Sequence, residues 1–107
     1  MDLIGRLSTH DERPVLRLSG EVDLSTLPTL RDHLVKSVAV HAGHTLYVDL
    51  DGLSVLDDAG VGMLLGAAGH ARSLAGDIVL VCTNDRLLAR FALTGLDRAV
   101  RVASAID

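Results

Sequence analysis

The sequence has little of several residue types, and each shortage excludes a class of protein. Its 107 residues contain one cysteine, one tyrosine, one phenylalanine and no tryptophan. A single cysteine excludes a disulfide framework and a zinc site built from several cysteines. No apolar run approaches the ~18 residues that a membrane span needs, so we expect no membrane insertion. The N-terminus shows no basic segment followed by an apolar one, so we expect a cytoplasmic protein.

Positive charge is scarce as well. Ten Lys and Arg residues stand against 14 Asp and Glu residues, which gives a net charge of -4, and Lys36 is the only lysine. A nucleic-acid-binding module needs cations for the phosphates and aromatic rings for base stacking. We therefore expect no nucleic-acid partner.

The apolar residues that are present suffice for one core. Hydrophobic residues make up 49% of the chain and charged residues 22%, a balance that excludes a disordered acidic tail. The length is near the common domain size, and no linker, low-complexity tract or internal repeat divides the chain. We expect a single domain over residues 1–107.

Hydrophobic patterning predicts strands at five places. Apolar residues alternate with polar ones in the first three, and the first two are joined as a hairpin through a polar connector at 10–14. The third strand is followed by a predicted loop over 51–56. The fourth is continuously apolar, which is typical of a strand that is covered on both faces and parallel to a neighbour. The predicted strands cover residues 3–8, 15–22, 46–50, 78–82 and 100–102.

Three helices are predicted between these strands, at 27–38, at about 59–75 and at 84–93. Ser25 or Thr26 is the expected cap of the first helix, and Thr83 or Asn84 that of the third. The order β-β-α-β-α-β-α-β implies an α/β domain with a mostly parallel sheet.

The predicted second helix contains four glycines, at positions 60, 62, 66 and 69. Each glycine inside a helix costs up to ~1 kcal/mol relative to alanine. The expected reason is close approach, because small side chains let a helix lie near a sheet or another surface.

Two aspartates, Asp57 and Asp58, precede this helix. One carboxylate is enough to cap the unpaired N–H groups of the first turn, so the second is free for another role. The junction between a strand and a helix is where open α/β sheets place their sites, and a helix N-terminus also accepts phosphate.

Three motifs resemble the STAS domain family, and specifically its small bacterial anti-sigma factor antagonists. They are GEVDLST at 20–26, YVDLDGLS at 47–54 and LDDAGVG at 56–62. The resemblance covers nearly the whole chain. It implies an α/β, STAS-like fold: a mixed, mostly parallel sheet of four to five strands, about four helices and an N-terminal hairpin.

The resemblance also implies a binding role without catalysis or a cofactor. In that family an anti-sigma factor with a serine-kinase ATP-binding fold holds a sigma factor, and the unphosphorylated antagonist binds the anti-sigma factor and frees the sigma factor. We expect a monomer or weak dimer. The expected partner-binding residues are Glu21, Asp23, Ser25, Thr26, Ser54, Asp57, Asp58, Ala59, Gly60 and Gly62.

One position departs from the family pattern. The kinase phosphorylates the serine after the motif aspartate, and here that position is Asp58, followed by Ala59 in place of the usual Ser or Thr. A carboxylate cannot form a phosphate ester, and it carries about one negative charge where phosphoserine carries roughly 1.5 to 2. Asp58 therefore either imitates the phosphorylated state in part or frees the protein from phosphorylation at this site. The nearest hydroxyls are those of Ser25, Thr26 and Ser54.

Two other functions remain as alternatives. One is a STAS regulatory subunit of a membrane transporter or a lipid-transport ATPase complex. The other is a receiver-type phosphoacceptor, which would need a lysine near the end of its last strand, whereas Lys36 lies on the first helix. No Gly-x-Ser-x-Gly elbow or Gly-rich phosphate loop is present, so we expect no enzyme.

The remaining candidate sites have weaker patterns. Carboxylates at positions 23, 49, 51, 57 and 58 could bind Mg²⁺ if strand ends bring them together, but we favour a solvated acidic rim that steers a partner. His41 and His44 lack a third ligand for a metal. Cys82 is expected to be an inert buried thiol, and His70 is expected beside the partner surface.

Overall fold

The computed structural model describes residues 2–106 and has five strands and four helices in this range. The strands are β1 (Leu3–His10), β2 (Arg13–Val22), β3 (Thr45–Leu56), β4 (Asp77–Val81) and β5 (Arg101–Ala103). The helices are α1 (Leu27–Val40), α2 (Asp58–Ser73), α3 (Asp85–Thr94) and α4 (Leu96–Ala99).

The strands form one sheet in the order β1-β2-β3-β4-β5. β1 and β2 pair in antiparallel register as the expected hairpin, and every later pair is parallel. The α/β fold with a mixed, mostly parallel sheet and an N-terminal hairpin is therefore confirmed.

All four helices bury their apolar residues against one face of the sheet. The main core joins inward residues of the strands, such as Leu18, Val48 and Leu80, to helix residues such as Leu64 and Phe91. The opposite face carries a second, smaller cluster. It consists of Val15, Tyr47, Val79 and Val81, with Ala103 and Ile106 packed against it. The continuous apolar run at 78–82 is thus covered on both faces, as predicted.

The predicted connector at 10–14 is wrong in extent, because the strands continue to His10 and restart at Arg13. Only Asp11 and Glu12 form the turn, with φ of 50° and 67°. Positive φ at both central residues is the geometry of a type I′ turn, whose twist matches that of the flanking strands. The polar composition of this tight hairpin resembled that of a longer loop.

The predicted loop at 51–56 is also wrong, since β3 runs on to Leu56. Its second half stays paired with β2 through two register shifts, one between Arg17 and Ser19 and one between Gly20 and Glu21. Bulges of this kind break the strict alternation of inward and outward side chains. The extension carries the chain directly to the start of α2, so that strand and helix meet without a flexible link.

The remaining boundaries differ from expectation by one or two residues. The resemblance implied about four helices, and α4 is the one that hydrophobic patterning did not locate. Thr26 precedes α1, but its hydroxyl makes no capping bond. Asn84 caps α3 by accepting from the N–H groups of Arg86 and Leu87. Within residues 2–106, no helix combines the length and the apolar character required to cross a bilayer.

The glycines of α2 give a test of packing against the sheet. A Cβ on Gly60 would lie 2.6 Å from Cγ1 of Val22, whereas a Cβ on Gly62 would meet nothing within 4 Å. We expect Gly62→Ala to raise the free energy of unfolding by up to about 1 kcal/mol through helix propensity. Gly60→Ala should lower it by about 1 kcal/mol, because overpacking costs about 1–3 kcal/mol. Urea unfolding measures both, and equal shifts in the same direction would contradict this packing.

Candidate functional site

The two aspartates that follow β3 lie at the carboxyl edge of the sheet, next to the end of β2. Leu56 pairs with Val22, and the backbone N–H of Asp57 donates to the carbonyl of Val22 over 3.1 Å. The loop that follows β2 therefore runs beside the first turn of α2. The structure brings together the GEVDLST and LDDAGVG segments, as their position at strand ends predicts.

Asp57 caps α2. Its Oδ1 accepts a hydrogen bond of 3.0 Å from the backbone N–H of Gly60, and its own backbone is extended, as an N-cap requires. The prediction that one of the two aspartates is a cap is confirmed. The capping bond fixes where the helix begins and therefore where the next side chain points.

Asp58, the first residue of α2, does not cap the helix. Its side chain is 87% exposed, and the one described ion pair joins its Oδ1 to Nη1 of Arg90 over 3.9 Å. An exposed pair at this distance contributes little, about 0–1 kcal/mol. The negative charge of Asp58 is therefore presented to solvent at the helix N-terminus.

The loop after β2 is held by Asp23. Its Oδ1 accepts from the hydroxyl of Ser25 over 2.6 Å and from the backbone N–H groups of Ser25 and Thr26. The Ser25 hydroxyl is the main cause of a lowered pKa for the Asp23 carboxyl; burial opposes it, and the two backbone N–H groups reinforce it. Because the pKa is lowered in the folded state, the ionised Asp23 carboxylate stabilises the fold at neutral pH. This stabilisation is lost as the pH falls through the folded pKa.

The other expected contact residues divide into exposed and supporting ones. Ser25, Ser54 and Ala59 are exposed. Thr26 is only 5% exposed, and its hydroxyl donates to the carbonyl of Glu21, so it supports the loop from within. Gly60 is buried beneath the surface and acts by letting α2 approach β2 and β3.

The outer face of α2 is uncharged for about three turns after Asp58. Exposed residues on it are Ala59, Gly62, Leu65, Gly66 and Gly69. A Cβ on any of the three glycines would meet nothing within 4 Å, so close packing inside the chain explains Gly60 alone. Of the two expected reasons, approach to the sheet or to another surface, the first therefore holds for Gly60 and does not apply to the other three.

Three residues at this edge are not among the ten contact residues named individually, although Leu24 and Val55 lie in the segments expected to contact a partner. Leu24, at the tip of the loop held by Asp23, is 82% exposed, and Val55 is 42% exposed. Arg90 reaches Asp58 from α3. Leu24 could have been recognised as an apolar residue within a polar turn, whereas the position of Arg90 depends on how α3 packs.

Of the five carboxylates considered as Mg²⁺ ligands, four are engaged locally, whereas Asp58 is exposed. Asp49 lies 3.6 Å from Arg17, and Asp51 accepts from the backbone N–H and the hydroxyl of Thr83. Within residues 2–106, no group of three His, Cys, Asp or Glu side chains is placed to hold a metal ion. Cys82 is 1% exposed, and burial is the main cause that raises the pKa of its thiol, so it is an unreactive core residue as expected.

Comparison with known proteins gives a family match and relatives at about 30% identity. The family model described as "Mlab, STAS domain" matches residues 6–103. The anti-sigma-B factor antagonist of Listeria monocytogenes serovar 1/2a is 32% identical over 85 residues, which are 79% of this chain and 74% of that protein.

Solved structures share the fold. An anti-sigma factor antagonist from Mycobacterium paratuberculosis superposes with a TM-score of 0.87 at 24% identity, over 99% of this chain and 89% of that one. The Bacillus cell fate determinant SpoIIAA in its phosphorylated form superposes with a TM-score of 0.67 at 25% identity, over 94% of this chain and 92% of that one. The strand order and the hairpin are thus those of a known fold.

The different roles of Asp57 and Asp58 can be separated by mutation. We expect Asp57→Ala to lower the free energy of unfolding by about 0.5–2 kcal/mol through loss of the cap, and Asp57→Asn to retain most of it. Asp58→Ala should cost less, about 0.3–1 kcal/mol, since it removes only an exposed charge at the helix N-terminus. Urea unfolding of the three variants measures this order, and a larger loss for Asp58→Ala would contradict the assignment.

Proposed function

The chain belongs to the STAS domain family, and on that premise we propose that it is an anti-sigma factor antagonist. It binds an anti-sigma factor with a serine-kinase ATP-binding fold and so releases a sigma factor, with Asp58 in place of the usual serine. The observation that carries the proposal is that the two aspartates at the start of α2 have different roles. Asp57 caps the helix, and the side chain of Asp58 is exposed to solvent, where a partner could contact it.

The surface around Asp58 has the features of a docking site. Leu24 and Val55 supply exposed apolar contacts beside it, and the uncharged outer face of α2 continues from it. Three exposed glycines weaken an isolated helix by up to about 1 kcal/mol each. They would allow the backbone of a partner to approach closely. This cost in stability supports the proposal that the outer face of α2 contacts another protein.

The charge at position 58 is permanent in this chain. An ester phosphate cannot form there, and the neighbouring hydroxyls are used internally: that of Ser25 by Asp23, that of Ser54 by the carbonyl of Gly20, and that of Thr26 by the carbonyl of Glu21. One carboxylate charge is weaker than the roughly 1.5 to 2 charges of phosphoserine. We therefore propose a partner affinity between that of an unphosphorylated and that of a phosphorylated antagonist.

A second candidate function is a STAS regulatory subunit of a membrane transporter or a lipid-transport ATPase complex. The absence of a hydroxyl at position 58 favours it, because a permanent subunit needs no release by phosphorylation. The docking surface would be the same, but the bound protein would be a transport subunit instead of an anti-sigma kinase.

Substitution at position 58 tests the proposal. Each kinase-type anti-sigma factor of the source genome is purified and titrated with the wild type, Asp58→Ser and Asp58→Ala. We expect one of them to bind all three, with Asp58→Ala and Asp58→Ser roughly tenfold tighter, which corresponds to about 1.4 kcal/mol. With that kinase and radiolabelled ATP, only Asp58→Ser should gain a phosphate.

Three outcomes would contradict the proposal. One is that no anti-sigma factor binds any of the proteins. Another is that the wild type is phosphorylated, which would place the modified hydroxyl elsewhere. The third is that a purified transport ATPase subunit binds the wild type while the anti-sigma factors do not, which would favour the second candidate.

A further inference from the structure

A groove of about 350 Å³ lies between α1 and α2, away from Asp58. Leu34 and Val38, which are 2% and 3% exposed, form its floor. Val35 of α1 and Met63 of α2 form its walls. The volume is at the lower end of the roughly 300–1,000 Å³ that is typical of small-molecule sites.

Gly66 keeps this groove open. It lines the groove, and a Cβ built on it would meet nothing within 4 Å. A glycine inside a helix costs up to about 1 kcal/mol relative to alanine. No close contact within the described residues requires a glycine at this position. A larger side chain at this position would extend into the groove. The open volume is thus a direct consequence of a residue that the fold itself does not require.

Two polar side chains stand at opposite ends of the groove, one near the start of α1 and one near the end of α2. They are Arg31 of α1 and His70 of α2, and within residues 2–106 neither side chain has an ion pair or hydrogen bond given by the structure. Asp32, the acidic neighbour of Arg31, lines the adjoining hollow and not the groove. In a chain with a net charge of -4, the Arg31 end of the groove offers hydrogen-bond donors to an anion beside an apolar slot.

We propose that this groove binds an amphipathic monocarboxylate with an unbranched alkyl chain. The carboxylate accepts hydrogen bonds from Arg31 at one end of the groove, and the alkyl chain lies on Leu34, Val38 and Met63 and runs toward His70 at the other end. The guanidinium suits a carboxylate because it presents paired donors in one plane. This ligand site does not include Asp58, although it shares Gly66 with the outer face of α2, and its test needs no protein partner.

Decanoate is the probe for the test. Its binding to the ¹⁵N-labelled protein is followed by amide chemical shifts, which should change along the groove-facing sides of α1 and α2. Gly66→Leu fills the groove and should raise the Kd by at least about tenfold. Gly69→Leu is the matched control, because Gly69 lies on the same helix with equally open space but does not line the groove. Its Kd should stay within about twofold of the wild type.

The head group is tested separately, so that the proposal does not depend on one variant. Arg31→Gln should raise the Kd of decanoate by roughly twofold to fivefold, the range of an exposed ion pair, and leave that of decanol unchanged. Groove shifts that are absent up to millimolar decanoate would overturn the proposal. Equal binding by Gly66→Leu and Gly69→Leu would also overturn it, as would an equal effect of Arg31→Gln on decanoate and decanol.

Discussion

The close approach of the first turn of α2 to the ends of β2 and β3 is the constraint on which the proposed docking surface depends. It needs a residue without a Cβ at position 60, because the methyl group of Val22 and that of Leu56 occupy the space. It is fixed by the backbone bond from Asp57 to Val22 and by the Asp57 cap. These contacts hold the helix start, the loop at Asp23 and the end of β3 in one arrangement.

In that arrangement, the residues that position the backbone are different from the residues that are exposed at the surface. Buried or internally bonded groups, such as Asp57, Thr26 and Gly60, position the backbone. Exposed groups that the fold does not use, such as Asp58, Leu24 and Gly62, form the outer surface. A permanent carboxylate at Asp58 adds charge to this surface without disturbing the support beneath it.

The fold class could be predicted from the sequence because it rests on local chemistry. The hairpin, the buried β4 and the cap by one of the two aspartates each follow from a short pattern. The extension of β3 could not be predicted, since its pairing depends on register shifts in β2 that distant residues set. The glycines of α2 also look alike in sequence, and only their neighbours in space separate Gly60 from Gly62, Gly66 and Gly69.

Release of a sigma factor is the most direct test of the proposed role. A preformed complex of the sigma factor with its kinase-type anti-sigma factor is mixed with excess wild-type chain, with Gly62→Glu as the variant that blocks the outer face of α2 and Gly62→Ala as its folded control. We predict that the wild type and Gly62→Ala free the sigma factor without ATP, and that Gly62→Glu does not. If the sigma factor stays bound in the presence of excess wild type for every such pair in the source genome, the result would contradict the proposed role.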